Sequence, residues 1–173
     1  SDDTGCPFDY NPGQCLTVRF DDISPKPVAR SFTLSSSPCE TKNFAITVKK
    51  ESHGLVSSYL IDQVTRGDIL KARGPLGRFV YQPHKDQQHL VMIAGGIGIT
   101  PFISILREYA HKLGQEGCPS HMTLLVSFKS LKDTLFSEFL KEVEGLGPHI
   151  KIITTYTRET AHKLASTEVS GRI

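Results

Sequence analysis

Tryptophan is absent from this 173-residue chain and methionine occurs only twice. Neither absence bears on function, but three others do. No apolar run reaches the ~18 residues that a membrane-spanning helix needs. The opening SDDTGCPFDY has neither a basic start nor an apolar stretch, so it does not read as a secretory signal, and a cytoplasmic location is expected. Charge of one sign is not in excess. The 20 Lys and Arg oppose 18 Asp and Glu, too even a balance to imply a nucleic-acid or membrane-surface partner.

Cysteine is sparse and scattered. Cys6, Cys15, Cys39 and Cys118 form no CxxC pair, so neither a zinc site nor an iron–sulfur ligand run is indicated, and no metal is expected. The expectation is reduced thiols in a cytosolic protein.

What is present divides into two halves with different periods. Residues 15–20, 29–34, 44–49, 69–72 and 79–81 are short apolar or alternating runs. Turn material separates them, such as Asn11-Pro12-Gly13 and Gly74-Pro75-Leu76-Gly77. This density of short strands predicts an antiparallel barrel or sandwich, with a short helix near residues 56–64. From residue 90 the period changes. Residues 90–94 are a continuous apolar run, as in a strand buried on both faces. Phe102, Ile105, Leu106, Tyr109, Ala110 and Leu113 then fall at helical spacing. Pro101 suits the first helical position and Gly114 the residue after the last. Residues 122–126 read as a second strand. Ser130 and Asp133 read as the cap of a second helix striped by Leu135, Phe136, Phe139, Leu140 and Val143. Residues 150–156 read as a third strand. Strand–helix–strand–helix–strand implies right-handed crossovers and a parallel sheet. The chain thus reads as a β-barrel over residues 1–84 and a Rossmann-like α/β half over residues 85–173.

The loop Gly95-Gly96-Ile97-Gly98-Ile99-Thr100-Pro101 lies between the first parallel strand and its helix. Glycines let backbone approach a ligand with no Cβ in the way. The helix that follows aims free N–H groups and a positive dipole end at the loop, which suits a pyrophosphate. Such a site reads the adenine ribose at the end of the second strand, where an acid suits NAD and a base suits NADP. That end is Ser127-Phe128-Lys129-Ser130, with no carboxylate. Lys129 and, past the third strand, Arg158 are the candidate phosphate contacts, so NADP is favoured with NAD open.

Several short segments carry a family resemblance. Arg30-Ser31-Phe32-Thr33-Leu34-Ser35-Ser36 resembles the RxYS(S/T) flavin motif of the ferredoxin–NADP⁺ reductase superfamily. Tyr10-Asn11-Pro12-Gly13-Gln14 resembles its F-x-PGQ lead-in, and Gly54-Leu55-Val56-Ser57-Ser58 its GxxS phosphate segment. Gly67-Asp68 with Gly74-Pro75-Leu76-Gly77-Arg78-Phe79 resembles its GD…GPxGxF pair. The glycine loop resembles its nicotinamide-nucleotide motif, and Gly171-Arg172-Ile173 its GRI. These segments stand in family order across nearly the whole chain.

The resemblance implies an antiparallel Greek-key β-barrel binding FAD, with FMN less favoured, followed by a Rossmann-like parallel α/β domain binding NADP or NAD. It implies an enzyme that moves a hydride from NAD(P)H to the flavin and then electrons to an unidentified acceptor protein or domain. Arg30 would pair with a flavin phosphate, Phe32 would stack on the isoalloxazine, and Thr33 would hydrogen-bond near flavin N5. Ser31 and Val48 would line the same site, while Gly54, Leu55, Val56, Ser57 and Ser58 would hold the pyrophosphate. Gly95, Gly96, Gly98, Thr100 and Pro101 would receive the nicotinamide nucleotide, Thr100 closest to its ring. Cofactors carry such chemistry, which agrees with the lack of a Ser/His/Asp or Cys/His constellation. The family's nucleotide domain usually has about five parallel strands, a common sheet size. Only three are expected here, so the α/β domain reads as incomplete at its C-terminus. The alternative is a flavin-binding electron-transfer or regulatory subunit without its own NAD(P)H turnover.

Overall fold

The computed structural model describes residues 8–39, 43–158 and 168–170. Cys6 and Gly171-Arg172-Ile173 lie outside the described residues.

In the first half, β1 (Cys15–Phe20), β2 (Val28–Thr33) and β3 (Lys71–Leu76) form an antiparallel sheet in the order β2-β1-β3. The period-two alternation of β1 buries Leu16, Val18 and Phe20 and turns Thr17 and Arg19 outward. Helix α1 (Leu55–Asp62) closes the inner face. Its Val56 is buried with Val18 and Phe20, and Tyr59 meets Phe20 edge-on at 5.7 Å between centroids. The Gln14 amide donates to the Gly77 carbonyl at 3.1 Å, joining the lead-in to the turn after β3.

Two expected strands are not formed. Residues 44–49 contribute only an isolated bridge, Leu34 to Ile46. Serine hydroxyls take over from the ladder there: the Ala45 N–H donates to Ser36 Oγ at 2.9 Å. Residues 79–81 form no strand either. Their aromatic rings pack against the second half instead, Phe79 on Phe102 at 5.5 Å and Tyr81 on Tyr109 at 5.4 Å.

The second half is a parallel sheet in the order β4 (His89–Gly95), β5 (His121–Phe128), β6 (Ile150–Tyr156), β7 (Glu168–Ser170). Helices α2 (Thr100–Tyr109) and α3 (Ser137–Glu144) lie on one face. Met92, Met122, Leu124, Val126 and Ile152 pack there against Ile103, Leu106, Leu140 and Val143. Each such fully buried aliphatic side chain is worth about 1.5–3 kcal/mol. The sheet has four strands where three were expected. The fourth spans three residues, too short to leave a periodic signal.

α2 ends at Tyr109, before the expected Leu113, because the Lys112 N–H folds back to the Tyr109 carbonyl and Gly114 turns to the Pro119 carbonyl. Ser130 and Asp133 bracket a separate 3-10 turn (Leu131–Asp133), not the start of α3. Phe136, with φ of 59°, breaks the chain direction before α3 begins.

Candidate functional site

Two cavities flank the glycine loop. The first, about 470 Å³, lies between the end of β2, the start of α1 and the start of α2. β2 supplies Arg30, Ser31, Phe32 and Thr33 to its lining. Arg30 is exposed, and its guanidinium donates to the Ala29 carbonyl at 2.8 Å. A guanidinium carries five N–H donors, so most of the fork remains for an anion. The Ser31 hydroxyl is paired with Thr17 Oγ1 at 2.9 Å. Phe32 is half-buried, with part of its ring against the Val18–Phe20–Val56 cluster. Val48 joins the lining beside Thr47, Lys49 and Glu51.

Gly54, Leu55, Val56 and Ser57 close the other side. Ser57 Oγ accepts from the Glu51 N–H at 3.1 Å and donates to the Gly54 carbonyl at 3.2 Å. A Cβ on Gly54 would stand 2.4 Å from that hydroxyl, so this tuck requires glycine. No side chain caps α1, and its first N–H groups remain as donors at the cavity edge. Ser58 is not in the lining. Its N–H is used by the Gly54 carbonyl at 2.9 Å.

The second cavity, about 520 Å³, sits at the carboxyl ends of β4 and β5, where ligands of parallel α/β sheets bind. The loop is divided between the two cavities. Gly95 and Gly96 face the second, Gly98 and Thr100 the first, and Ile97 both. A Cβ on Gly95, Gly96 or Gly98 would meet nothing within 4 Å. Packing therefore does not demand glycine at these positions, and the room in front of the loop is open to a ligand, which fits a dinucleotide. The loop is a 3-10 turn (Gly96–Ile99) running straight into α2, whose Thr100 donates its hydroxyl to the Ile97 carbonyl at 3.1 Å. Pro101 occupies the first turn of α2 and lines neither cavity.

Lys129 lines the second cavity, and the Arg158 N–H donates to the Lys129 carbonyl at 3.0 Å. That contact is through the backbone, and Arg158 itself lines neither cavity. Two other contributors escaped sequence reasoning. Lys49 lines both cavities, and Asp133 lines the second. The Ser130 hydroxyl, which donates at 2.6 Å, and the Ser130 backbone, with Lys129 and Lys49 nearby, hold Asp133 below the ordinary carboxylate value. A carboxylate thus reaches the end of β5 from five residues beyond it. The adjacent pair Lys49-Lys50 was visible as sequence, but nothing local said that it faces a loop nearly fifty residues away.

An antiparallel half with the uncapped start of α1 at one cavity, set against a glycine loop shared by two cavities, has the form of a module that binds two ligands side by side. Residues 5–81 match the oxidoreductase FAD-binding domain family, and residues 87–172 match the ferric reductase NAD-binding domain family. The chain is 32% identical over 136 residues to the glycine betaine monooxygenase reductase subunit of Pseudomonas aeruginosa, covering 79% of this chain and 36% of that protein. It is 33% identical over 145 residues to NADH-cytochrome b5 reductase 1 of Cryptococcus neoformans, covering 84% of this chain and 46% of that protein. Among solved structures, the flavohem-like FAD/NAD binding domain of nitric oxide dioxygenase from Vibrio cholerae superposes with a TM-score of 0.80. It is 27% identical, over 99% of this chain and 70% of that one. The chain belongs to the ferredoxin–NADP⁺ reductase superfamily, pairing an FAD-binding with an NAD-binding domain. It spans less than half the length of the curated relatives it matches. Among the described residues no helix is long and apolar enough to cross a membrane.

Proposed function

We propose that this chain is the NAD(P)H-dependent reductase module of a cytoplasmic electron-transfer enzyme, with residues 1–84 holding FAD and residues 85–173 holding the nucleotide. The bound pair would supply hydride transfer from nicotinamide C4 to flavin N5, with the electrons passing on to an acceptor protein or domain. The carrying observation is that the two cavities share Lys49 and Ile97, so the two cofactors would meet at one wall.

Each residue's part follows from its place. Arg30, at the cavity mouth with donors to spare, pairs with a flavin phosphate. Phe32 offers the isoalloxazine a flat apolar face. Thr33 and Thr100 enter the first cavity from opposite halves of the chain, Thr33 beside the flavin and Thr100 beside the nicotinamide. The start of α1 holds the pyrophosphate with N–H groups. Lys129 and Arg158 attend the adenosine end of the nucleotide.

Anaerobic mixing of the FAD-loaded chain with NADPH and, separately, NADH tests this. Bleaching of the oxidised flavin band supports the reading, and the ratio of rates gives the nucleotide preference. A yellow chain that neither nucleotide bleaches would leave a flavin-binding electron-transfer or regulatory subunit.

A further inference from the structure

The flavin-binding strand end leaves its sheet after Thr33. The chain continues through Leu34, Ser35, Ser36 and Ser37, all buried. Its own half ties it by the Leu34–Ile46 bridge, by the Leu34 N–H to the Gln14 carbonyl at 2.9 Å and by the Ser35 N–H to the Ala45 carbonyl at 2.8 Å. A second set of ties comes from α2, in the other half. The Ser104 hydroxyl donates to the Ser36 carbonyl at 2.6 Å, and Arg107 Nη1 donates to the Ser35 carbonyl at 3.0 Å. The Ser37 hydroxyl donates to Glu108 at 2.5 Å. Positions 104, 107 and 108 share one helix face, so one face of α2 engages three consecutive serines.

Ser104 is out of place by any packing rule. It is fully buried on a helix where Phe102, Ile103, Ile105 and Leu106 are buried too. A buried hydroxyl is costly unless it is hydrogen-bonded, and Ser104 donates to the backbone of the flavin half. Arg107 adds a second tie, since its guanidinium also sits 5.2 Å from the centre of the Phe139 ring on α3. Both arms of this clamp are short. Ser104 is one helical turn, about 6 Å, from Thr100. Ser35 is two residues from Thr33.

We infer that Ser104 and Arg107 are positioning residues for the hydride step: through the carbonyls of Ser36 and Ser35 they lock the Thr33 end of the flavin strand to the helix that carries Thr100, and so set the gap in which the two cofactors meet. The inference rests on the function proposed above. It predicts a particular split. Most of each cavity's lining comes from one half, whereas the reaction depends on the gap between the halves, and a misplacement of about 1 Å costs a rate on the order of a hundredfold.

The test uses the full chain carrying Ser104→Ala, Ser104→Thr, Arg107→Met or Arg107→Lys. Four quantities are measured: the limiting rate of flavin reduction at saturating nucleotide, the Kd values of FAD and of the oxidised nucleotide, the long-wavelength charge-transfer band, and deuterium exchange at residues 34–37 in the flavin-free chain. Ser104→Ala should slow reduction roughly ten- to a hundredfold, weaken the charge-transfer band and speed exchange at residues 34–37. Both Kd values should stay within about threefold. Ser104→Thr, which keeps the hydroxyl, should restore the rate to within about twofold. A Ser104→Ala chain that matches the parent in rate and band overturns the inference, and so does a slowed rate explained wholly by weaker FAD binding. If Ser104→Ala does not fold, the Arg107→Met and Arg107→Lys pair decides by the same criteria. A parent chain that no nucleotide bleaches fails the proposed function itself and takes this inference with it. A bleached parent with equally fast variants fails the inference alone.

Discussion

Lys49 and Ile97 are the two residues common to both cavities, one from the segment before α1 and the other from the glycine loop. Ile97 contributes an apolar surface and Lys49 the charge. The ammonium has one weak tether, Glu51 Oε1 at 3.6 Å, and both side chains are largely exposed. It is therefore available to a phosphate arriving in either cavity. Lys49→Ala is expected to raise KM for the nucleotide about five- to tenfold and leave the limiting reduction rate nearly unchanged, the pattern of lost uniform binding. The effect should shrink as salt screens the contact. Steady-state kinetics at two ionic strengths checks it, and a fall in kcat with KM unmoved would contradict it.

Lys129 and Asp133 line the second cavity with opposite charges. A lysine there favours the 2′-phosphate of NADP, and an ionised carboxylate favours the ribose hydroxyls of NAD. Asp133→Asn should therefore raise the NADPH-to-NADH ratio of kcat/KM, and Lys129→Ala should lower it, each roughly three- to tenfold. Equal effects on both nucleotides would show that neither residue reads the ribose.

Gly54 is fixed by the Ser57 hydroxyl, which a Cβ would approach to 2.4 Å. Gly54→Ala should displace Ser57 from its contacts with the Glu51 N–H and the Gly54 carbonyl and distort the start of α1. The expected result is FAD affinity weaker by about tenfold, with a stability cost on the order of 1–2 kcal/mol. Flavin fluorescence titration and thermal melting separate the two. Unchanged FAD binding would remove the start of α1 from the cofactor site.

Glu108 gives the contact between the halves an acid limit. Burial raises its pKa, but hydrogen bonds from Lys112, Ser37 and Cys39 outweigh burial and hold the carboxyl below its ordinary 4.5. Lys112, hydrogen-bonded to Glu108 at 2.5 Å, is in turn held above its ordinary 10.5. A depressed carboxylate contributes stability in full above its unfolded pKa and loses it as pH falls through the lower, folded value. The parent should exceed Glu108→Gln by roughly 1–2 kcal/mol between pH 6 and 8. That margin should shrink as pH falls below 4.5 and through the lower folded value. Melting curves across pH check this, and a margin that persists in acid would show that the charge of Glu108 is not what stabilises the contact.

The antiparallel first half, the alternation of β4 to β6 with α2 and α3, and the glycine loop were legible in the chain. Each is a local property. Period two marks β1, period 3.6 marks α2, and glycines mark a loop that must leave room for a ligand. Element ends were less legible, because they are set by partners elsewhere. α2 stops at Tyr109 only because Gly114 turns to Pro119. Residues 44–49 have a strand's alternation, yet they form one bridge because serine hydroxyls take over the backbone donors.

The sequence by itself therefore determined the two-part β then α/β plan and the open glycine loop, because periodicity and backbone freedom act over a few neighbouring residues, while the flavin segments were legible only through their family resemblance. Only the tertiary structure decided that Lys49 serves both cavities, that Asp133 reaches the end of β5, and that Ser104 locks Ser36 across 68 positions of chain. Those contacts depend on where distant segments meet in space, and no local pattern of side chains records that distance.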